Sequence, residues 1–210
     1  MVLFDFDGTL ADSIALGFEI ANAHADKCGY NRVEREQGME MSALEIMKAA
    51  GISFWKLPHL IFLLKKRLEE NSDKIKIITG VDDLIKKLKN DGFKLGIITS
   101  HSAAGVSEFL KKYNLETFFS YIKADVPLFG KTNALRKAKK QLGSYFVYVG
   151  DELRDIEACH KTGIPIVSVP WGFNKAELLE KHNPGFVAKT SEEAYTLIHA
   201  EAEKLKANTK

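Results

Sequence analysis

Short apolar runs alternate along this chain with amphipathic helical patterns, and this alternation limits the folds that are open to it. The runs with the length of buried strands are residues 2–6, 94–99, 145–149 and 165–169, with weaker candidates at 121–123 and 186–188. Apolar side chains recur at helical spacing in residues 80–92, 102–114, 132–143 and 154–163. This order predicts an α/β fold, a Rossmann-like, doubly wound core on a parallel sheet.

Residues 13–78 depart from this alternation. They contain three or four helical stretches, about 13–28, 34–50 and 53–71, and one weak strand candidate at 74–78. Pro58 either interrupts the third stretch or begins a new helix. We therefore expect a small all-helical cap at 13–78, inserted into a core that 1–12 and 79–210 form together.

Composition argues against several classes of protein. The chain has 210 residues with 45% hydrophobic content and a net charge of +2, so charge alone indicates no nucleic-acid surface. No apolar run approaches the ~20 residues of a membrane span, and the N-terminus does not look like a signal peptide. Cys28 and Cys159 fit two reduced thiols better than a disulfide. We expect a cytoplasmic monomer or homodimer, without nucleic-acid or membrane partners, whose Lys-rich end after Glu201 frays.

Polar residues lie where the predicted strands end. The positions are Asp5 and Asp7 after the first strand, Thr99 and Ser100 after the second, Asp151 and Asp155 after the third, and an isolated Lys131 between the last two. Each position also has an interpretation without a site. The residues after the first two strands could simply end those strands, Lys131 could be a solvated side chain, and the last two aspartates could belong to a helix cap. Because ligands bind at the carboxyl ends of the strands in open α/β sheets, their coincidence predicts a functional site.

The residue types indicate a metal and a phosphate. Residues two apart on a strand share a face, so Asp5 and Asp7 can point to one place, and Gly8 allows the sharp turn that follows. Carboxylates from two strands repel one another unless a cation lies between them, and hard oxygen ligands suit Mg²⁺. Lys131 and Thr99 supply the cationic and hydroxyl donors that a phosphate needs.

The segments "DFDGTLADS", "GIITS", the isolated Lys131 and "VGDELRDIEA" resemble, in order and spacing, the four motifs of the haloacid dehalogenase-like phosphohydrolases. The helical insert looks like the small C1 cap of that superfamily, and the chain most resembles its phosphoglycolate phosphatase-like members. The resemblance covers nearly the whole chain and is weakest in the cap. The chain departs from the usual motifs at Ser100, Thr132 and Glu152, where relatives often have Asn, Pro and Ser.

The resemblance implies a role for each motif residue. Asp5 would be the nucleophile that forms an aspartyl-phosphate. Asp7 would be the general acid and then the base, a task that suits a carboxyl group whose pKa its neighbours raise. Thr99 and Lys131 would hold the phosphoryl oxygens. The implied Mg²⁺ ligands are Asp5, the backbone carbonyl of Asp7, Asp151, and Asp155 directly or through water. A second aspartate also argues against halide hydrolysis.

Substrate contacts are expected in two places. Beside the motifs, the candidates are Gly8, among the amides that follow Asp5, and Ser100. In the cap, "REQGMEM" (35–41) resembles a loop that faces the active site, so Arg35 and Gly38 could read the leaving group; a surface arginine at a helix start fits equally well. Three other residues are weighed beside these. His101 follows the second motif and could lie near substrate, but a solvated loop histidine is favoured; Arg154 is interpreted as a structural ion-pair partner, and Trp171 as packing rather than a substrate platform.

These expectations combine into one function. The chain is predicted to be a Mg²⁺-dependent phosphatase that hydrolyses phosphomonoesters of a small phosphorylated metabolite, with phosphoglycolate as the first candidate. Two alternatives stay open. One is phosphotransfer of the phosphosugar mutase type, and the other is a non-catalytic, phosphate-binding regulatory protein on the same fold.

Overall fold

A computed structural model describes residues 1–207 and shows a five-stranded parallel sheet. Its strands are Val2–Phe4 (β1), Leu95–Ile98 (β4), Phe119–Lys123 (β5), Val147–Gly150 (β6) and Ile166–Ser168 (β7). They lie in the order β5-β4-β1-β6-β7, and every neighbouring pair is parallel. The predicted doubly wound α/β fold is confirmed.

The first strand is central because it is apolar on both faces. All three residues of β1 are fully buried, and the strand pairs with β4 on one side and β6 on the other. Helices that cover the sheet are Val81–Asn90 (α5), Ala103–Lys112 (α6), Lys131–Leu142 (α7), Leu153–Thr162 (α8), Ala176–His182 (α9) and Ser191–Ala207 (α10). The apolar residues of α5, α6 and α10 pack in one cluster, and those of α7, α8 and α9 in another, so the sheet is covered on both faces.

The cap segment, residues 13–78, is helical as expected. Its helices are Ile14–Cys28 (α1), Arg35–Gly38 (α2), Ala43–Ala49 (α3) and Leu57–Glu70 (α4). Two short strands, Ala11–Asp12 (β2) and Lys76–Ile77 (β3), pair antiparallel where the segment leaves and rejoins the core. The division into two domains at these boundaries stays a prediction.

The structure corrects the sequence prediction in the cap. The predicted helix at 34–50 is two helices, because Ser42 caps α3: its hydroxyl accepts the backbone N–H of Glu45, whose carboxylate in turn accepts the N–H of Ser42. Pro58 lies in the first turn of α4, so it begins that helix rather than interrupting one. The strand candidate at 74–78 belongs to the β2–β3 pair and not to the main sheet.

Three further differences concern the C-terminal half. The weak strand at 186–188 is reduced to a single bridge between Ser168 and Val187. Helix α9 was not predicted. The end after Glu201 was predicted to fray, but α10 continues to Ala207; residues 208–210 lie outside the described part of the chain.

Two other expectations concern the cysteines and the membrane. Cys28 and Cys159 are free thiols, as predicted. Within residues 1–207, no helix combines the length and the apolar character that crossing a membrane requires.

Candidate active site

Three carboxylates meet at the carboxyl ends of the central strands. Asp5 follows β1, Asp151 follows β6, and Asp155 lies in the first turn of α8. One oxygen of each lies within 4.8 Å of the others, and all three residues are buried. The ammonium group of Lys131 donates to Asp5 Oδ2 at 2.6 Å and to Asp155 Oδ1 at 2.5 Å. Three of the predicted metal ligands and the predicted phosphate-binding lysine are therefore in one cluster.

The cluster carries more negative than positive charge, because three carboxylates face one ammonium group. Burial raises the pKa of Asp5 to about 7, against the opposing charge of Lys131. Burial, and then the charge of Asp5, hold the pKa of Asp151 well above its usual value. A divalent cation would relieve this repulsion, and buried carboxylate oxygens are the ligands that hard cations such as Mg²⁺ prefer. The donor set therefore fits the metal that the sequence predicts.

Gly8 makes room for the carboxylate of Asp151. Its φ is +74°, and a Cβ at this position would lie 2.1 Å from Asp151 Oδ2. The sharp turn expected after Asp7 is therefore present. Its N–H donates to the carbonyl of Ala11 at 2.8 Å, so this amide is engaged within the protein rather than offered to a phosphate.

The carboxylate of Asp7 does not join the cluster but points to a histidine. Both of its oxygens lie 3.1 Å from Nδ1 of His101, and Oδ1 also accepts the hydroxyl of Ser13 at 2.6 Å. Burial alone would raise the pKa of Asp7, but the charge and hydrogen bond of His101, with Ser13, hold it below its usual value. The expectation that the neighbours raise this pKa is wrong, and His101 is a buried partner rather than a solvated loop residue.

The second motif places its residues as predicted, at the end of β4. Thr99 is fully buried, and its hydroxyl oxygen accepts the N–H of His101 at 3.0 Å. Ser100 lies, with Asp7, on the wall of a cavity that extends under the cap segment. This motif also presents His101 to Asp7, a contact that no local sequence pattern predicts.

The last motif contains a closed ion pair. Nε and Nη2 of Arg154 donate to the two carboxylate oxygens of Glu152 at 2.6 and 2.8 Å, and Nη1 donates to the carbonyl of Leu128. Burial opposes both charges, yet the pairing lowers the pKa of Glu152 and raises that of Arg154. The predicted structural role of Arg154 as an ion-pair partner is confirmed.

Comparison with known proteins places these motifs in a family. Residues 2–169 match the family model described as haloacid dehalogenase-like hydrolase. The chain belongs to the haloacid dehalogenase-like hydrolases. It is 34% identical over 195 residues to a phosphoglycolate phosphatase of Synechococcus elongatus, which covers 90% of this chain and 92% of that protein.

Other relatives of this hydrolase differ in name and agree in fold. The chain is 29% identical to the pyrophosphatase PpaX of Bacillus pumilus, over 95% of this chain and 96% of that protein. A crystal structure of a predicted phosphatase from Clostridium acetobutylicum superposes with a TM-score of 0.79 at 22% identity, covering 95% of this chain and 97% of that one. The comparisons confirm the predicted enzyme class, a phosphatase.

The cap residues predicted to contact substrate are not among those that line the cavity beside Asp7. Gly38 is the last residue of α2, and a Cβ there would lie 2.4 Å from Cζ of Phe18, so close packing of the cap explains this glycine. Arg35 begins the same helix and is only partly buried. Neither residue lines the cavity. A role in substrate binding stays a prediction for both.

The loop of residues 171–174 in this hydrolase carries a residue that the sequence analysis missed. The side chain of Asn174 accepts the N–H of Leu153 and donates to the carbonyls of Met39 and Met41 in the cap segment. One residue earlier in the loop, the N–H of Phe173 donates to Asp151 Oδ2 at 2.7 Å. The loop thus contacts the acidic cluster and the cap together. The sequence signal was weak, since "WGFN" reads as ordinary packing. Trp171, the first residue of the loop, packs against the core, and its indole N–H donates to the carbonyl of Thr9.

Proposed function

We propose that this protein is a Mg²⁺-dependent phosphomonoester hydrolase that works through an aspartyl-phosphate on Asp5. The observation that carries the proposal is the cluster of Asp5, Asp151 and Asp155 around Lys131, in which a nucleophilic carboxylate lies beside metal-ligating oxygens and a phosphate-binding cation. Bound Mg²⁺ would neutralise negative charge on the phosphoryl group, with Asp5, the carbonyl of Asp7, Asp151 and Asp155 as its ligands.

The residues of the chain divide the reaction into two steps. An oxygen of Asp5 attacks phosphorus, and the bond from phosphorus to the leaving alkoxide breaks. Although burial opposes it, the charge of Asp7 raises the pKa of His101. The proton passed to that alkoxide through Asp7 is therefore one that the pair shares, and the pair regains a proton from the water that attacks the aspartyl-phosphate, which releases inorganic phosphate and restores Asp5. His101 and Ser13 hold the carboxylate of Asp7 in one orientation.

Binding groups complete the site. The ammonium group of Lys131 and the hydroxyl of Thr99 are proposed to hold the phosphoryl oxygens. Lys131 uses two of its three N–H donors on Asp5 and Asp155, and the Thr99 hydroxyl accepts from His101 but keeps its own O–H to donate. Phosphoglycolate is the first substrate to test, because a phosphoglycolate phosphatase is 34% identical to this chain. Other small phosphorylated metabolites follow, since the pyrophosphatase relative shows that the leaving group varies among similar proteins.

The test is phosphate release from a panel that contains p-nitrophenyl phosphate, phosphoglycolate, sugar phosphates and pyrophosphate. We expect turnover with Mg²⁺, none with chelator, and a loss of at least roughly a thousandfold in kcat for Asp5→Asn. Asp12→Asn, the same change at an exposed site nearby, is the matched control and should keep full activity. Acid quenching during turnover should also trap a phosphoryl group on Asp5.

Other outcomes separate the alternatives. Turnover that persists in Asp5→Asn would contradict the aspartyl-phosphate. Activity that requires a sugar bisphosphate would indicate a mutase. Saturable phosphate binding without release from any panel member would indicate a regulatory protein.

A further inference from the structure

A cavity joins the catalytic residues to the interior of the cap segment. Its volume is about 280 Å³, roughly twice that of an engineered ~150 Å³ protein cavity that binds benzene. Asp7 and Ser100 lie on the wall at the core end. Most of the remaining wall is aliphatic or aromatic, with Ile46 from α3 and Leu60 and Leu64 from α4. The space next to the reacting phosphate is therefore large and mostly apolar.

Two polar side chains on this wall, Asn22 and Tyr30, are engaged with the protein itself. Asn22 exchanges two hydrogen bonds with the backbone of Val33, at 3.0 and 3.1 Å. The hydroxyl of Tyr30 donates to the carbonyl of Ala21 at 2.5 Å. These groups stabilise the cap, and a ligand that used them would have to break bonds already formed.

The charges on the wall disfavour an acidic leaving group. Among the described residues, the one cation that lines the cavity is Arg154, and Glu152 and the carbonyl of Leu128 already use its guanidinium. A carboxylate in the cavity would face Asp7 and Glu152 without a free cation among the described residues that line it. Burying an unpaired charge is costly, whereas burying an uncharged hydrocarbon is favourable.

We propose that this cavity receives an apolar, uncharged leaving group, so that the substrates are phosphate monoesters of aliphatic or aromatic alcohols. This inference rests on the proposed phosphatase function and narrows its substrate class. It ranks phosphoglycolate, whose leaving group carries a carboxylate, below an alkyl phosphate. The phosphate stays at the acidic cluster and the hydrocarbon extends past Ser100 between α3 and α4.

The first measurement is a chain-length series of methyl, butyl, hexyl and octyl phosphate, with phosphoglycolate beside it, all with Mg²⁺. Each buried methylene should raise kcat/KM by about two- to fourfold until the cavity is full. Butyl phosphate should exceed phosphoglycolate. A flat or falling series, or a preference for phosphoglycolate, would overturn the inference while leaving the phosphatase function intact.

Gly17 offers a variant that fills the cavity. It lies in α1 on the cavity wall, and a Cβ there would meet no atom within 4 Å. Gly17→Leu should reduce the ratio of octyl to methyl phosphate in kcat/KM by roughly tenfold or more. Glu19→Leu adds the same side chain to an exposed position of α1 and should preserve that ratio. An equal ratio in the two variants would contradict the placement of the chain in this cavity.

Binding separates the failure of this inference from the failure of the proposed function. If no ester is hydrolysed, the phosphatase proposal fails, and calorimetry with octylphosphonate and methylphosphonate on the wild-type protein still tests the cavity. Tighter binding of octylphosphonate would support an apolar ligand. Equal affinity for the two phosphonates would overturn the inference that the cavity receives an apolar group. Since these measurements use the wild-type chain, they test whether the cavity binds an apolar group even if Gly17→Leu does not fold.

Discussion

Replacing Asp151 by asparagine should stabilise the metal-free protein while it abolishes activity. Asp151 accepts the hydroxyl of Thr9 on one oxygen and the N–H of Phe173 on the other, at 2.6 and 2.7 Å. Asparagine satisfies both partners, because its carbonyl accepts from Phe173 and the hydroxyl of Thr9 can turn to accept from its amide. Asp151→Asn therefore removes a charge from the cluster without orphaning a buried polar group.

The expected gain follows from the geometry. One oxygen of each carboxylate lies within 4.8 Å of the others, and two unit charges at that limiting distance repel by about 3.5 kcal/mol at an effective dielectric constant of about 20. If Asp151 instead takes up a proton, the cost relative to its usual pKa of 3.8 cannot exceed about 5 kcal/mol at pH 7.5. We expect asparagine to raise the free energy of unfolding by about 2–4 kcal/mol, which is roughly 5–15 °C in Tm for a chain of this size.

The sign of the pH dependence is fixed by the raised pKa. A carboxyl group whose pKa is higher in the folded than in the unfolded protein binds more protons when folded, so its contribution to stability falls as pH rises above 3.8. In chelator, the Tm of Asp151→Asn should therefore exceed that of wild type by more at pH 7.5 than at pH 5. Saturating Mg²⁺ should narrow or reverse the gap, since wild type gains about 2.7 kcal/mol at a hundred times its Kd.

Two results would refute this reasoning. One is a Tm of Asp151→Asn in chelator at pH 7.5 that is no higher than that of wild type. The other is a gap of equal size at pH 5, because charge repulsion would then not be its source. Asp12→Asn, at an exposed position, is the control and should leave Tm nearly unchanged at both pH values.

Two further substitutions test the neighbours of the cluster. Gly8→Ala should abolish turnover and cost at least about 2–3 kcal/mol of stability, because its methyl group meets a buried carboxylate; Gly92→Ala, which has a φ of +82° but open space around it, should cost only about 1 kcal/mol. If both variants lose equal stability, backbone strain alone is responsible. His101→Leu should lower kcat by roughly tenfold to a hundredfold with little change in KM, because Asp7 loses the contact that orients it. Unchanged kcat, or the same loss in the exposed control His160→Leu, would remove His101 from the mechanism.

Much of the fold and the acidic cluster was predictable because both follow from local patterns. The apolar run ending at Asp5 must be a buried strand, and the carboxyl ends of parallel strands meet at one edge of the sheet whatever the loops do. Asp151, directly after β6, reaches the same point by the same rule, whereas Lys131 begins α7. The helical character of the cap followed from apolar spacing in the same way.

The rest depended on contacts between distant segments. The pKa of Asp7 was predicted with the wrong direction because its partner His101 lies 94 residues away in the chain. Asn174 was missed because its three partners come from two other segments and no local pattern reveals them. The break between α2 and α3 arose from competition between helix continuation and the capping bonds of Ser42, which apolar spacing does not register.

The loop of residues 171–174 connects the proposed metal site to the cap segment. Phe173 contacts Asp151, and Asn174 contacts the backbone of Met39 and Met41, so a movement of the cap changes the surroundings of a proposed metal ligand. By thermodynamic linkage, if docking of the cap makes the free energy of ion binding more favourable, then ion binding makes the free energy of cap docking more favourable by the same amount. A substrate that draws the cap inward would then tighten the hold on the cation, and release of the product would loosen both together.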